Sequence, residues 1–241
     1  MKLTTYGMRW EIVHIDETDS TNRWLKEQGK GDMVLVADYQ TAGRGCGTNR
    51  WESERGKNLT FSMLLHPTDL PARQQFHITE VVSVALCETL EHYINNKVEV
   101  KWPNDIYVGN RKICGMLIEN RLHGSTIRDS IVGIGLNVNQ REFRSDAPNP
   151  VSLWQLTGRE IDRDKLLHEF LKTFDAVSAC ETASNDYRKR LFWKTEVHEF
   201  KDENGTFSAN IVDVLTDGHL VLDDTEGRRR TYAFKEVQFV I

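Results

Sequence analysis

The chain has 241 residues, 39% hydrophobic and 28% charged, and its 31 Lys and Arg against 36 Asp and Glu give a net charge of −5. That describes a folded globular chain with room for one large domain and a small one, and it supplies no general attraction to nucleic acid or to an anionic membrane. The opening MKLTTYGMRWEIVHIDET lacks the apolar run of a signal segment, and no stretch approaches the roughly 18 apolar residues of a membrane span, so the expected location is the cytoplasm.

Trp10 to Ile15 reads as a short strand, and the polar run Asp16 to Ser20 offers N-cap candidates for a helix through Trp24 and Leu25 that stops near Gly29 and Gly31. Met33 to Tyr39 is apolar and β-rich. Leu59, Phe61, Met63 and Leu65 alternate with Thr60, Ser62, Leu64 and His66, the period of two of a strand with one face strongly buried. Between Phe76 and Ile94 the apolar Val81, Ala85, Leu86, Leu90, Tyr93 and Ile94 recur at helical spacing and predict a long helix over that sheet. Strands resume at Val98. Ile106 to Val108 and Ile113 to Ile118 are joined by Gly109-Asn110-Arg111-Lys112, a hairpin signal that places Lys112 where turn becomes strand. A strand over Ile131 to Val138 is interrupted by Gly133 and Gly135, which marks a bulge or a close approach by ligand or backbone. Helix returns from Arg163 to Ala179.

After about Trp193 the chain becomes a series of short β-runs: Thr195 to Phe200, Phe207 to Leu215, His219 to Leu222, Arg229 to Phe234 and Val237 to Ile241. Asn204-Gly205, Asp217-Gly218 and Glu226-Gly227 punctuate them. The spacing predicts a small all-β barrel. The expected organisation is therefore α+β, with a catalytic domain over 1–190 and a C-terminal barrel over 191–241.

The four cysteines (Cys46, Cys87, Cys114, Cys180) form no C-x-x-C pair, and the eight histidines form no H-x-x-x-H pattern, so neither a disulfide framework nor a side-chain metal cluster is expected. The densest chemical signal is Thr41-Ala42-Gly43-Arg44-Gly45-Cys46-Gly47-Thr48-Asn49-Arg50-Trp51. Its alternating glycines would let backbone N–H groups converge on an anion beside two arginines. It has neither the Gly-Lys-Ser/Thr of a Walker loop nor the spacing of a dinucleotide fold, and on spacing alone it could be a flexible glycine-rich loop. A second group is Lys101-Trp102-Pro103-Asn104-Asp105, with Lys112 seven residues after the aspartate. An ammonium on a rigid hairpin suits charge developing between a carboxylate and a phosphoryl group, although a lone lysine in a turn is more often simply solvated.

In order and spacing, the segments Ser20-Thr21-Asn22, Gln40, Gly43-Arg44-Gly45, Trp51, Lys101-Trp102-Pro103-Asn104-Asp105, Arg111-Lys112-Ile113-Cys114-Gly115 and Gly133-Ile134-Gly135-Leu136-Asn137 resemble those of biotin protein ligases. The resemblance is carried by residues 16–140. It implies a central mixed sheet of the class II aminoacyl-tRNA synthetase and lipoate ligase type followed by a small barrel, in a monofunctional form without an N-terminal DNA-binding domain. It also implies the reaction: activation of biotin by ATP to biotinyl-AMP, then transfer to a lysine of a carboxyl-carrier protein. On that basis Ser20, Thr21, Asn22, Gln40, Gly43, Arg44, Gly45, Cys46, Lys112 and Gly115 are expected around biotin. Arg44, Asn49, Arg50, Trp51, Asn104, Asp105 and Asn137 are expected around ATP. Lys112 and Arg44 would be catalytic, Mg²⁺ would bridge the triphosphate with Asp105 as an indirect contact, and Asn137 would read the adenine edge.

Many members of that family carry an arginine two residues after Arg44, where this chain has Cys46. Arg50 or Asn49 would have to compensate. The expected partners are biotin and a biotin carboxyl carrier domain, without nucleic acid or membrane, and the resemblance leaves room for a weak homodimer. Three alternatives stay open: a lipoate or octanoate ligase of the same fold, a non-catalytic biotin-sensing module, and a nucleotide-binding module without ligase activity.

Overall fold

Seven strands form one sheet in the computed structural model of the chain: β1 (Glu11–Thr18), β2 (Met33–Gln40), β3 (Leu59–Leu65), β4 (Val98–Lys101), β5 (Asp105–Val108), β6 (Arg111–His123) and β7 (Thr126–Leu136). The structure describes residues 10–47, 49–144 and 149–241; residues 1–9, read above for a signal segment, and Thr48 of the glycine-rich run lie outside the described residues. The strand order is β1-β2-β3-β7-β6-β5-β4. β1 and β2 are parallel, joined by helix α1 (Thr21–Gln28), and the remaining neighbours are antiparallel, which makes the sheet mixed as expected. β1 runs further than its apolar core suggested, so Asp16 to Thr18 belong to the strand and not to a capping run.

Alternation along each strand divides the sheet into two faces. Val34, Val36, Leu59, Phe61, Met63, Leu65, Val132, Ile134 and Leu136 share a core with helices α2 (Phe76–Glu91) and α4 (Arg163–Ser178). Phe61 meets Phe170 of α4 edge to face with ring centres 5.5 Å apart. On the other face Leu35, Leu64 and Ile131 are covered by Leu25 of α1. Every residue of β3 is buried, Thr60 and Ser62 included, so the expectation of one buried face is corrected to two.

Two short helices, α3 (Leu153–Thr157) and α5 (Ala183–Lys189), were not anticipated. The first is set by a capping box in which Ser152 and Gln155 bond each other's backbone, and by Gly158 in the left-handed conformation that closes it.

The C-terminal strands β8 (His198–Asp202), β9 (Gly205–Val214), β10 (Leu220–Asp224), β11 (Arg229–Tyr232) and β12 (Gln238–Phe239) form an antiparallel sheet in the order β11-β10-β9-β8-β12. The all-β character is as expected. Among the described residues no ladder joins β11 to β12, so hydrogen bonds leave the expected barrel open. The segment that leads from α5 into this sheet pairs with the β4 edge of the first: the Val100 N–H donates to the Arg190 carbonyl at 2.8 Å, and the Phe192 N–H donates to the Val100 carbonyl at 2.9 Å. Trp102 then reaches across, its indole N–H donating to the Gly218 carbonyl at 2.9 Å. Among the described residues no helix is long and apolar enough to cross a membrane.

Candidate active site

On the α1 face of the large sheet, where α1 stops covering it, a cleft of about 960 Å³ opens. Its floor is made by residues with little or no side chain. On β7, Gly133 and Gly135 point the same way. A Cβ at Gly133 would fall 2.3 Å from the Asn22 amide oxygen, and one at Gly135 would fall 2.2 Å from the Trp51 indole. Gly115 on β6 is the register partner of Gly135, and its Cβ would meet the same indole at 3.2 Å. Gly133 and Gly135 clear the space that the sequence marked as a close approach, Gly115 adds to it, and the approaching groups are Asn22 and Trp51.

One end of the cleft is a buried polar knot. The register of β1 with β2 sets Gln40 beside Thr18, so the residues that open α1 fall next to the Gln40 amide. Its oxygen accepts from the Thr21 N–H at 2.7 Å and from the Thr21 hydroxyl at 3.1 Å. Ser62, which sequence reasoning passed over, lies 2.6 Å from both the Thr21 hydroxyl and the Asn22 amide oxygen. The Asn22 nitrogen donates to the Leu117 carbonyl at 3.2 Å and to the Glu119 carboxylate at 2.9 Å. Asn22 is therefore committed to bracing the knot. Ser20 occupies the N-cap position of α1, but its hydroxyl makes no capping bond and faces the cleft.

The glycine-rich segment is a tight hairpin. Arg44 bridges Arg50, the Gly45 N–H donates to the Asn49 carbonyl at 2.8 Å, and the Trp51 N–H donates to the Gly43 carbonyl at 3.1 Å. Two of the amides expected to converge on an anion are thus spent within the loop, because the glycines let the strand arms approach closely enough to pair. Arg44, Gly45, Cys46, Asn49, Arg50 and Trp51 line the cleft. Gly43 does not; it lies beneath, where a Cβ would strike the Trp51 carbonyl at 2.8 Å. Arg44 is half-exposed and 3.7 Å from Glu119. Lys235 of the C-terminal segment closes over the hairpin tip, with its ammonium nitrogen 2.3 Å from where a Cβ on Gly47 would sit.

Toward the β4 edge lie the charges. The Lys112 backbone is clamped from both sides, its N–H donating to the Asn149 carbonyl at 2.8 Å and its carbonyl accepting from the Val151 N–H at 2.9 Å. Its ammonium pairs with Asp105 at 2.7 Å and lies 5.9 Å from the centre of the Trp51 ring. Asn104 donates to the Met116 carbonyl at 2.8 Å, beyond a cis Trp102–Pro103 bond. Asn137 donates to the Val151 carbonyl at 3.1 Å, and its own oxygen is buried without a partner among the described residues. Thr60, Ser62, Phe234, Lys235 and Phe239 also face or brace the cleft and were not singled out from sequence, and Lys101 of the Lys101-to-Asp105 motif lines it too. Among the described residues no three His, Cys, Asp or Glu side chains converge as a metal site.

Comparison with known proteins places this arrangement. Residues 14–137 match the Biotin/lipoate A/B protein ligase family. The bifunctional ligase/repressor BirA of Bacillus subtilis (strain 168) is 29% identical over an alignment covering 96% of this chain and 75% of that protein. The biotin–[acetyl-CoA-carboxylase] ligase of Mycobacterium tuberculosis is 26% identical over 76% of this chain and 72% of its own. Among solved structures, the biotin protein ligase from Aquifex aeolicus in complex with biotin and ATP shares 28% identity, covers 95% of this chain and 97% of its own, and superposes with a TM-score of 0.78.

Proposed function

The chain belongs to the biotin/lipoate A/B protein ligase family, and from that premise we propose how its cleft performs the work of a biotin protein ligase: ATP-dependent activation of biotin to biotinyl-5′-AMP and transfer of the biotinyl group to a lysine of a biotin carboxyl carrier domain. The observation that carries the reading is the knot of Thr21, Gln40 and Ser62 at one end of a cleft whose other end holds Lys112. A ureido ring presents fixed donors and an acceptor, and fixed polar partners in a dry pocket discriminate strongly for it. The dithiolane of a lipoyl group would leave those partners unsatisfied, which disfavours the lipoate alternative.

Ser20, Thr21 and Gln40 hold the ring, and the Trp51 indole over Gly115 and Gly135 walls the acyl chain. Lys112, fixed by its clamped backbone and by Asp105, stands where the biotin carboxylate meets the α-phosphorus. Two anions must approach there, and a positioned ammonium lowers their repulsion most as charge redistributes in the transition state. The carboxylate oxygen bonds to phosphorus as the bond to pyrophosphate breaks. In the second step the acceptor amine attacks the acyl carbonyl, AMP leaves, and the amine's proton is released. Arg44, Arg50 and Asn49 face the phosphate, Asn104 stays a brace, and Asn137 lines the part of the cleft assigned to adenine. Mg²⁺ would arrive on ATP and neutralise phosphate charge, with Asp105, already paired with Lys112, as an indirect contact at most.

Residues 1–190 form the catalytic unit of this reading and 191–241 a β unit that supplies one cleft wall. The reading places this work in the cytoplasm on a protein acceptor, and a net charge of −5 supplies no general attraction to nucleic acid. Biotin-dependent ATP–pyrophosphate exchange, followed by transfer of labelled biotin to a carrier domain, tests the reading. Exchange that is equally strong with lipoate, or absent with biotin, would overturn it.

A further inference from the structure

Among the described residues none of helix α5 lines the cleft, yet one of its side chains holds the turn that carries the charges. Lys101 ends β4 and Asp105 opens β5, so Trp102, Pro103 and Asn104 form the turn between them. Two of the three reach outward from it: the Trp102 indole donates to the Gly218 carbonyl at 2.9 Å, and the Asn104 amide donates to the Met116 carbonyl at 2.8 Å. The third is reached from outside. The Tyr187 hydroxyl of α5 donates to the Pro103 carbonyl at 2.8 Å. Two residues further along is Asp105, whose carboxylate holds the Lys112 ammonium at 2.7 Å.

Tyr187 is fully buried, and its ring packs edge to face on Phe76 of α2 with ring centres 5.5 Å apart. A phenylalanine would make that contact equally well, and a hydroxyl taken out of water costs free energy unless it is bonded. The bond to Pro103 is therefore the reason for a tyrosine here. Burial holds the phenol well above its ordinary range, so it stays a neutral donor wherever the enzyme works. The helix is itself anchored on both sides: Ser184 donates to the buried Glu80 carboxylate of α2, and the Arg188 guanidinium donates to the Val214 carbonyl of β9 at 2.7 Å. A donor on so fixed a helix fixes the peptide that it binds, and with it the carboxylate that the same turn presents. We propose that Tyr187 is a positioning residue for the activation step, setting Asp105, and through it the Lys112 ammonium, at the point where the biotin carboxylate meets the α-phosphorus. The proposal rests on the ligase reading. It gives α5 a share in the first half-reaction from outside the cleft, because the rate there depends on where the ammonium is held.

The test compares full-length wild type, Tyr187→Phe, Asp105→Asn, the double variant of these two, and Ser184→Ala, in biotin-dependent ATP–pyrophosphate exchange with melting temperatures alongside. Losing one neutral hydrogen bond lowers kcat by about three- to ten-fold in Tyr187→Phe, which keeps the packed ring, while the KM for biotin stays at the wild-type value. In the Asp105→Asn background the same substitution costs nothing more, because the pair that it positions is already broken. Ser184→Ala removes a hydroxyl bond from the same helix without touching the turn, so it lowers the melting temperature and leaves kcat at the wild-type value. An unchanged kcat in Tyr187→Phe would overturn the proposal. So would an equal loss of kcat in Ser184→Ala, which marks the packing of α5 as the cause, or an additive loss in the double variant, which puts the effect of the hydroxyl elsewhere than Asp105. Wild type without biotin-dependent exchange would instead sink the ligase reading itself, and the proposal with it.

Discussion

Gly135→Ala tests whether the glycine floor exists to seat Trp51. The added Cβ would lie 2.2 Å from one indole carbon, 2.6 Å from the indole nitrogen and 2.7 Å from a further ring carbon. Carbon atoms rest about 3.5 to 4.0 Å apart, so the ring must withdraw by about 1.3 to 1.8 Å. The β7 backbone cannot yield instead, since it is paired on both sides, with β3 and with β6. Trp51 can, because it hangs from a hairpin at the cleft edge. Overpacking in a closed core costs about 1 to 3 kcal/mol, and a yielding loop holds the loss of stability to the low end of that range. Activity is less forgiving: a reacting group displaced by about 1 Å can lose about a hundred-fold in rate. The expected result is therefore a mild loss of thermal stability with kcat/KM for biotin-dependent exchange down about a hundred-fold. In a Trp51→Ala background the same glycine substitution should cost almost nothing more, which a double-mutant cycle reads directly. Equal, additive losses with and without the indole would refute the reasoning, as would full activity in Gly135→Ala.

Lys112→Ala should leave biotin binding nearly intact while biotinyl-AMP formation falls by orders of magnitude, because its charge is needed most in the transition state; unchanged turnover would remove Lys112 from the mechanism. Backbone amides of Arg228 and Glu226, together with the side chains of Arg228 and Arg230, hold the Asp224 carboxyl down to about 2 from an ordinary 3.8. Its stabilising contribution is complete above 3.8 and is lost as pH falls toward 2, so thermal melts of Asp224→Asn should show a shallower acid decline in that window than wild type. An identical slope would show that Asp224 titrates alike in the folded and unfolded chain. At Cys46 a guanidinium could reach the adenylate phosphate, and a charged hydrogen bond there is worth about 1.5 to 3 kcal/mol, or ten- to a hundred-fold in dissociation. Cys46→Arg should slow biotinyl-AMP release by that factor if retention is loose in this chain. Acceleration confined to Arg50→Ala would mean that Arg50 already makes the contact, and no change in either would place the phosphate elsewhere.

What was legible in the sequence follows from how far each signal reaches along the chain. The hairpin holding Lys112, the long helices and the places of the strands along the chain rest on local spacing, and they stand, whereas the order of the strands in the sheet is set by long-range pairing. Gly133 and Gly135 correctly announced a close approach, but the residues that approach, Asn22 and Trp51, come from remote segments and are chosen by register. Thr60 and Ser62 read as the wet side of a half-buried strand. They are buried because α1 and the cleft cover that side, and a polar residue kept there must be bonded or aimed at a ligand. α3 and α5 are too short for helical periodicity to rise above chance, although Ser152 and Gln155 did carry a capping signal. The glycine-rich run was harder, since the same glycines that free a backbone to wrap an anion also free it to pair with itself, and here the pairing wins at Gly45 and Trp51.

The C-terminal wall had no sequence signal at all. Phe239 belongs to an ordinary-looking β-run and Lys235 to the turn just before it, where Lys235 adopts a left-handed φ of 73° that favours glycine. Nothing local explains a lysine there. Its contact with Gly47 across the cleft does, because the turn that aims its ammonium at the hairpin tip is the one that requires this backbone. The same logic connects the two units of the chain. Lys112 on β6 is paired with Asp105 of β5, whereas Lys101 on β4 lies against ring faces, those of Tyr107 in its own sheet and Phe239 in the C-terminal one. A ring face orients a cation without cancelling its charge, so this contact joins the C-terminal sheet to the first while leaving the ammonium without a paired carboxylate among the described residues.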